Sequence, residues 1–402
     1  MPQTNRPLEG VKILDLSRLL PGPFCTQLLA DLGADIVKVE SPDGGDYMRN
    51  MPPRVNEQGA YFLAVNAGKR SITVDLRSPA GPNALRALLE TFDVLLEGFR
   101  PGVLTRFGLG HEQLQSEFPR LIYASLSGFG QTGPLRRKPG HDVNYLALTG
   151  GLSITGNADG ELVIPGHQIA DVSGALYTAV ALLAAVIRRD KIGRGSYVDV
   201  ALADSALALM AMTYAEYFQS QTPPTPAGHP VTGLHVCYHL YRTSDDRHMA
   251  LGALEPKFWQ AFCEAVGRTD LIAEGYTPAR RGNPVYETVC EIFAGKTQAE
   301  WVRELGEVDC CCEPVLNLAE TAHHPHFTGR GCFQETEHPT GGTYQRLKSP
   351  LRFDPPAHPA DGPAPALGAH TKAVYAEAGV TAEKFEEYRQ AGAFGPLTDE
   401  TT

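Results

Sequence analysis

Short apolar runs alternate with segments of helical period through the first half of the chain. Residues 11–16 (VKILDL) read as a buried strand, and after the turn Pro21-Gly22-Pro23 residues 24–32 carry a helical stripe that Gly33 stops. Residues 35–40 (DIVKVE) predict a second strand. Residues 71–76 (SITVDL), a helix over 81–90 and a strand over 93–99 (DVLLEGF) repeat the unit, and 121–126 (LIYASL) adds another strand. Short apolar strands separated by helices predict an α/β fold with a parallel sheet covered on both faces. Ligands of such sheets bind beyond the strand C-termini, which directs attention to the segments after Leu16, Leu76 and Phe99.

The pattern then predicts a long apolar helix over 171–188, a strand over 197–201 and a helix over 204–217. A proline-rich stretch, 219–229 (QSQTPPTPAGH), reads as a linker. Beyond it, 238–242 and 248–252 predict a hairpin around Asp245-Asp246, followed by helices over 257–266 and 299–305. The tail after Gly331 reads as loop-rich, with one short helix over 382–390, and as returning to the first domain. The expected organisation is a large Rossmann-like domain over 1–218, a linker and smaller α+β domain over 219–330, and a returning segment over 331–402.

Composition narrows the function classes. The 402 residues are 43% hydrophobic, ample for a buried core, and carry a net charge of −11. A diffuse acidic balance argues against nucleic acid or an anionic membrane as partner. The longest apolar stretch, 175–187, falls short of the roughly 20 residues of a membrane span. The N-terminus has no signal pattern. Eight cysteines, three of them consecutive at Cys310, Cys311 and Cys312, include no Cys-x-x-Cys pair, so reduced thiols in a cytoplasmic enzyme are expected. The first βα turn lacks G-x-G-x-x-G, and Gly68-Lys69-Arg70-Ser71 has Leu63 where a P-loop needs its first glycine. A nicotinamide dehydrogenase and an NTPase are both disfavoured. His323-His324-Pro325-His326 gives no standard ligand spacing, and no metal is expected.

Three places concentrate candidate chemistry. Gly140-His141-Asp142-Val143-Asn144-Tyr145 follows the glycine-rich SGFGQTGP of residues 127–134. Its histidine is a candidate acid–base group, although most loop histidines are only hydrogen-bonded. Asp171 opens the long apolar helix, where an aspartate is ordinarily a cap. A carboxylate there also suits a base or nucleophile, with backbone N–H groups at the helix start for a developing oxyanion. Glu255, in GALEPKFW, is a third candidate, although an acid there is ordinarily the N-terminal acid of the next helix.

Taken together, GHDVNY, SGFGQTGP, the run LDLSRLLPGPFCTQLLADLGADIVKV and GALEPKFW resemble the family III CoA-transferases, and within them look most like the α-methylacyl-CoA racemase branch. The resemblance runs from about Gly10 to Phe333. It implies that His141 and Asp171 are the two bases of a racemase and that Glu255 pairs with His141. In the transferase branch the same Asp171 is a nucleophile. Gly233-Leu234-His235-Val236-Cys237-Tyr238 matches neither the glycine run of some transferases nor the glycines and apolar residues of racemases, with His235 and Cys237 the departures. The resemblance further implies an interlocked homodimer in which Glu255 of one subunit faces His141 of the other.

An acyl-CoA substrate brings phosphates, and coenzyme A is expected as part of that substrate, with no prosthetic group. Cations near strand ends are the candidates: Lys69, Arg70 and Arg77 around SITVDL, Arg100 and Arg106 after DVLLEGF, and Arg18 in the first turn. By resemblance Val74, Asp75, Leu76 and Arg77 line the adenine site, and Gly98, Phe99, Arg100 and Arg106 reach pantetheine and phosphates. Gly140, Asp142, Asn144 and Tyr145 flank the thioester. Ser41 stands where racemases commonly have a phosphate-binding arginine, and Lys38 is expected to compensate. Three functions stay open on the sequence: a racemase of 2-methylacyl-CoA thioesters, a transferase moving CoA between carboxylic acids through Asp171, and a silent acyl-CoA binder. A histidine–carboxylate constellation beside Asp171 exceeds what a transferase requires, which favours the racemase.

Overall fold

The computed structural model describes residues 6–354 and 362–396; part of the proline-rich tail reading therefore lies outside the described residues. The chain divides into two compact units, one holding the described residues up to Thr149, His167–Leu209 and those from His326 on, the other Gly150–Gly166 and Met210–Pro325. The division falls at Leu209–Met210 and His326, where the sequence placed it at 218/219 and 330/331, and it assigns Gly150–Gly166 to the second unit.

The first unit begins with β1 (Lys12–Leu16), α1 (Pro21–Asp31) and β2 (Asp35–Glu40). Pro21 sits in the first turn of α1, where its missing N–H costs nothing, so the predicted turn is already helix. Gly33 takes φ +101 beyond the end of α1 and lets the chain drop into β2. A two-residue ladder, β3 (Arg54–Val55) with β4 (Gln58–Gly59), precedes α2 (Ala60–Val65). Then follow β5 (Arg70–Thr73), α3 (Gly81–Leu88), β6 (Val94–Glu97), α4 (His111–Glu117) and β7 (Ile122–Ser127). After α5 (Asp142–Leu148) come α6 (Ile169–Ile192), β8 (Tyr197–Ala201) and α7 (Leu202–Ala208).

The six long strands form one parallel sheet in the order β5-β2-β1-β6-β7-β8. Leu14, Val37, Ile72 and Leu95 bury one face, while their neighbours Ile13, Ile36 and Val94 are equally buried on the other. That is why these strands read as continuous apolar runs rather than alternating ones. Chain direction across the sheet reverses between β1 and β6, and a crevice opens at their C-terminal ends. Helix α6 has 24 residues and mean hydropathy 1.8, enough by length and composition to cross a membrane, but half of its apolar window is buried against α1, α5, α7 and the sheet.

The second unit holds α8 (Ala211–Ser220), the hairpin β9 (Tyr238–Arg242) with β10 (His248–Gly252), α9 (Pro256–Ala265), α10 (Pro284–Ala294), α11 (Gln298–Leu305) and β11 (Cys312–Pro314). Strand β11 pairs with β10 and not with β9. The core stacks Tyr241, Phe293 and Phe262 with ring planes 10° and 12° apart. The single helix expected over 204–217 is two helices, α7 and α8. No glycine or proline marks the break, which coincides with the passage from one unit to the other.

The tail is more ordered than its composition suggests. Residues β12 (Phe333–His338) and β13 (Gly342–Leu347) form a hairpin that the sequence read as loop. Its inward positions are Thr336, His338, Tyr344 and Arg346, largely polar, so the alternation carries no apolar signal. Further on, Val374, Tyr375, Tyr388 and Phe394 join the core of the first unit.

Candidate active site

The crevice between β1 and β6 continues into a cavity of about 330 Å³ beyond the C-terminal ends of β1, β2, β5 and β6. Arg18, Ser41, Asp75, Arg77 and Phe99 line it, as do Val74 and Leu76. The Arg18 guanidinium lies 4.9 Å from the Tyr47 ring centre and 5.7 Å from that of Phe99, and donates to the Tyr47 hydroxyl at 2.9 Å. Arg77 is mostly exposed and bonds Asp75. Arg100 and Arg106 are exposed on the segment after β6. Gly98 brings the backbone against Ser17, where an added Cβ would stand 3.5 Å from the Ser17 Cβ.

Three of the expected phosphate cations are used elsewhere. Lys38 is fully buried; its ammonium donates to the Ser17 carbonyl at 2.9 Å and pairs with Asp46 at 3.0 Å. It cannot replace an arginine at Ser41. Lys69 is likewise inside, donating to Pro23, Thr26 and Asn66 at 2.8–2.9 Å, with Asp15 3.8 Å away. Burial pulls the Lys69 ammonium down against the opposing charge of Asp15. Although burial pushes the Asp15 carboxyl up, Lys38, Lys69 and the Ser17 and Thr26 hydroxyls hold it below its ordinary value. Arg70 is spent on Asp35 and Glu377.

This buried network shapes the turn after β1. Leu19 adopts φ +62, a left-handed conformation unfavourable for leucine. Its N–H is held by both oxygens of Asp46 at 3.2 Å, and Asp46 is held in turn by Lys38. Glu40, bidentate to Arg49, accepts the Asp46 N–H at 3.0 Å. Sequence reasoning missed Asp46, Tyr47 and Glu40 because their roles appear only when distant segments meet. It also missed Glu97, at the end of β6, whose carboxyl burial pushes up to about 7 while it accepts the Phe99 N–H at 2.7 Å.

A second constellation lies where α5 meets α6. His141 is exposed at the N-terminal edge of α5, and its N–H is accepted by the Asn144 side chain at 3.0 Å. Asp171 does not open α6: the helix starts at Ile169, and Asp171 is the third helical residue. The cap is supplied from α5 by Asp142, whose Oδ1 accepts the N–H groups of Ala170 and Asp171 at 2.6 and 3.0 Å. Those two N–H groups are therefore not available to a developing oxyanion.

Freed from capping, the Asp171 carboxyl is half-buried. Burial, reinforced by Asp142 and opposed by His141, pushes it up to about 6. Tyr145 is buried, and its hydroxyl donates to the Gly140 carbonyl at 2.7 Å. Added Cβ atoms at Gly140 and Gly128 would fall 2.8 and 2.4 Å from Tyr145 atoms, so the ring fills the space that both glycines leave. Tyr145 thus builds the loop that carries His141. Replacing Asp142 by asparagine keeps an acceptor for the α6 N–H groups but removes the charge that raises Asp171. The expected outcome is an acid limb of the pH–rate profile displaced to lower pH, checked against wild type at fixed ionic strength.

Glu255 belongs to the second unit, exposed at the N-terminal edge of α9. Its charge acts on the exposed thiol of Cys311, which takes φ +50. The same unit encloses a cavity of about 990 Å³ lined by Gly233, Tyr238, His239 and Tyr286.

The comparisons agree with this geometry. Residues 8–371 match the model of CoA-transferase family III. The chain is 35% identical over 378 residues to the alpha-methylacyl-CoA racemase of Homo sapiens, covering 94% of each chain. It is 36% identical over 388 residues to the succinyl-CoA:mesaconate CoA-transferase of Haloarcula marismortui, covering 93% of this chain and 96% of that one. A solved CAIB/BAIF family protein from Brucella suis superposes with TM-score 0.80 at 31% identity, over 93% of this chain and all of that one. Racemase and transferase relatives stand at similar identity. With a Rossmann-like sheet, a crevice at its switch point and a match along most of its length, the chain belongs to CoA-transferase family III and is an enzyme acting on acyl-CoA.

Proposed function

We propose that the enzyme inverts the α-carbon of 2-methylacyl-CoA thioesters by 1,1-proton transfer between His141 and Asp171. The observation that carries this reading is the Asp171 carboxyl raised to about 6 beside His141. Two-base inversion requires each base to serve as acid in one direction and base in the other, and so requires similar proton affinities. A carboxyl near 6 lies in the range where imidazoles ordinarily titrate. The α-proton leaves to one base, the thioester becomes an enolate, and the other base delivers a proton to the opposite face.

CoA would lie in the crevice, with its nucleotide toward Arg18, Asp75 and Arg77 and its phosphates toward Arg100 and Arg106. The segment from Gly140 to Asn144 would flank the thioester. Lys38 and Tyr145 support this as positioning residues. A homodimer, in which Glu255 of the partner subunit polarises His141, fits the exposed apolar row Leu176, Tyr177, Val180 and Ile187 along α6, with Leu148 and Leu207 beside it. The setting is taken to be the cytoplasm.

The transferase reading uses Asp171 differently. Its carboxylate attacks the thioester carbonyl, releasing CoA thiolate and leaving a mixed anhydride; the thiolate returns to form an aspartyl-CoA thioester, freeing the first acid. That scheme gives His141 no required task. In D₂O, one enantiomer of a 2-methylacyl-CoA is expected to acquire deuterium at C2 without any acceptor acid. CoA transfer to an added carboxylate with C2 untouched decides for the transferase.

A further inference from the structure

The hairpin β12–β13 presents one polar face. Gln334 and Arg346 are paired directly across the strands, and Thr336 and Lys348 follow at alternate positions on the same side. Arg346, Lys348, Arg330, Arg352 and Gln334 line a cavity of about 210 Å³ together with Asp31, at the C-terminal end of α1. Asp31 lies just before β2 begins, so this cavity is at the N-terminal end of the strands, opposite the crevice.

Two features call for a ligand. Arg346 is only 5% exposed, and among the described residues its side chain makes one hydrogen bond, from Nε to the Thr336 hydroxyl at 3.3 Å. No ion pair joins any of the four cations to a carboxylate among the described residues. Burying a cation without an anionic partner is costly. The one acid present, Asp31, is occupied by the Gln27 amide at 3.1 Å, and burial outweighs Arg346 in setting its proton affinity, pushing its carboxyl up. Second, the Gln334 side-chain oxygen is buried with no hydrogen-bond partner among the described residues, and Gln334 lines the same cavity. Four cations with one acceptor suit an oxyanion that carries a proton of its own. Phosphate near neutral pH is such an ion; sulfate is not.

We propose that this cavity is a second anion site, built for one phosphate group, at the end of the sheet remote from the nucleotide crevice. The guanidinium of Arg346 forms its floor, Lys348, Arg330 and Arg352 its rim, and Gln334 accepts the phosphate O–H. The site joins the tail hairpin to α1, the helix that starts from the Ser17–Leu20 turn. It is independent of which reaction the enzyme catalyses.

The test is calorimetric titration of the full-length protein with inorganic phosphate at constant ionic strength, wild type against the rim variant, so that binding in the crevice, common to both, is separated from binding in this cavity. One phosphate per chain is expected, with sulfate binding more weakly. The rim variant Lys348→Gln/Arg352→Gln, whose side chains are exposed, should fold normally and bind phosphate at least about tenfold more weakly. Arg346→Gln should abolish binding. Competition by glycerol 3-phosphate separates the sources: displacement admits a phosphate ester, and its failure restricts the site to the free ion. No saturable phosphate binding, or unchanged affinity in the folded rim variant, overturns the proposal; sulfate binding as tightly as phosphate removes Gln334 and the assignment to phosphate.

Discussion

Asp171→Asn is expected to lower turnover by about a thousandfold or more while making the fold more stable above pH 6. The two effects share one cause. The Asp171 carboxyl is raised to about 6 by burial and by the adjacent Asp142, so the folded state prefers it protonated. A carboxyl whose folded value exceeds its unfolded value weakens the fold as pH rises from the unfolded value through the folded one. Above pH 6 the ionised group therefore carries a standing cost, which a neutral amide removes. With the side chain only half-buried, the gain is on the order of 1 kcal/mol. Thermal unfolding at pH 8 should show the variant melting higher than wild type, and at pH 4 the difference should vanish. Loss of activity with loss of stability at pH 8 contradicts the account, because it makes Asp171 a structural group.

The second large effect is expected at Lys38, which touches no substrate. Lys38→Met removes the partner of a buried carboxylate, and breaking a buried ion pair from one side costs about 3–5 kcal/mol. Asp46 keeps the N–H groups of Leu19 and Met48 but loses the cation it pairs with. Asp46, no longer fixed by Lys38, then holds the left-handed Leu19 less firmly, and the Arg18 turn moves with it. Urea unfolding should show the midpoint falling sharply, and KM for the acyl-CoA should rise more than kcat falls. Lys38→Met/Asp46→Leu, which removes both charges, should recover part of the loss. A stable Lys38→Met protein with unaltered KM contradicts the account, because it leaves the Lys38–Asp46 pair with no part in holding the Arg18 turn.

The sheet was legible because its central strands are buried on both faces and read as continuous apolar runs. DIVKVE and YVDVA end where the periodicity ends them, and the switch point follows from strand order. The candidate acid–base residues were legible as a motif. What the sequence hid lies in charges that fold inward. Lys38 and Lys69 read as cations near strand ends, and only the meeting of β1, β2, α1 and the Asn66 turn shows that carboxylates and carbonyls take them. Asp142 is 29 positions from the N–H of Asp171 that it caps, a pairing beyond any local rule. The tail hairpin was invisible because it buries Thr336, His338 and Arg346 where a strand pattern calls for apolar side chains.

The central claim is that His141 and Asp171 exchange the α-proton of an acyl-CoA. It is tested most directly by following C2 of a single 2-methylacyl-CoA enantiomer in D₂O, by NMR and chiral analysis, for wild type and His141→Ala. Deuterium at C2 with inversion, independent of any acceptor and abolished in His141→Ala, is the result predicted. Transfer of CoA to an added carboxylate that His141→Ala retains, with hydrogen and configuration at C2 unchanged in wild type, is the result that contradicts it.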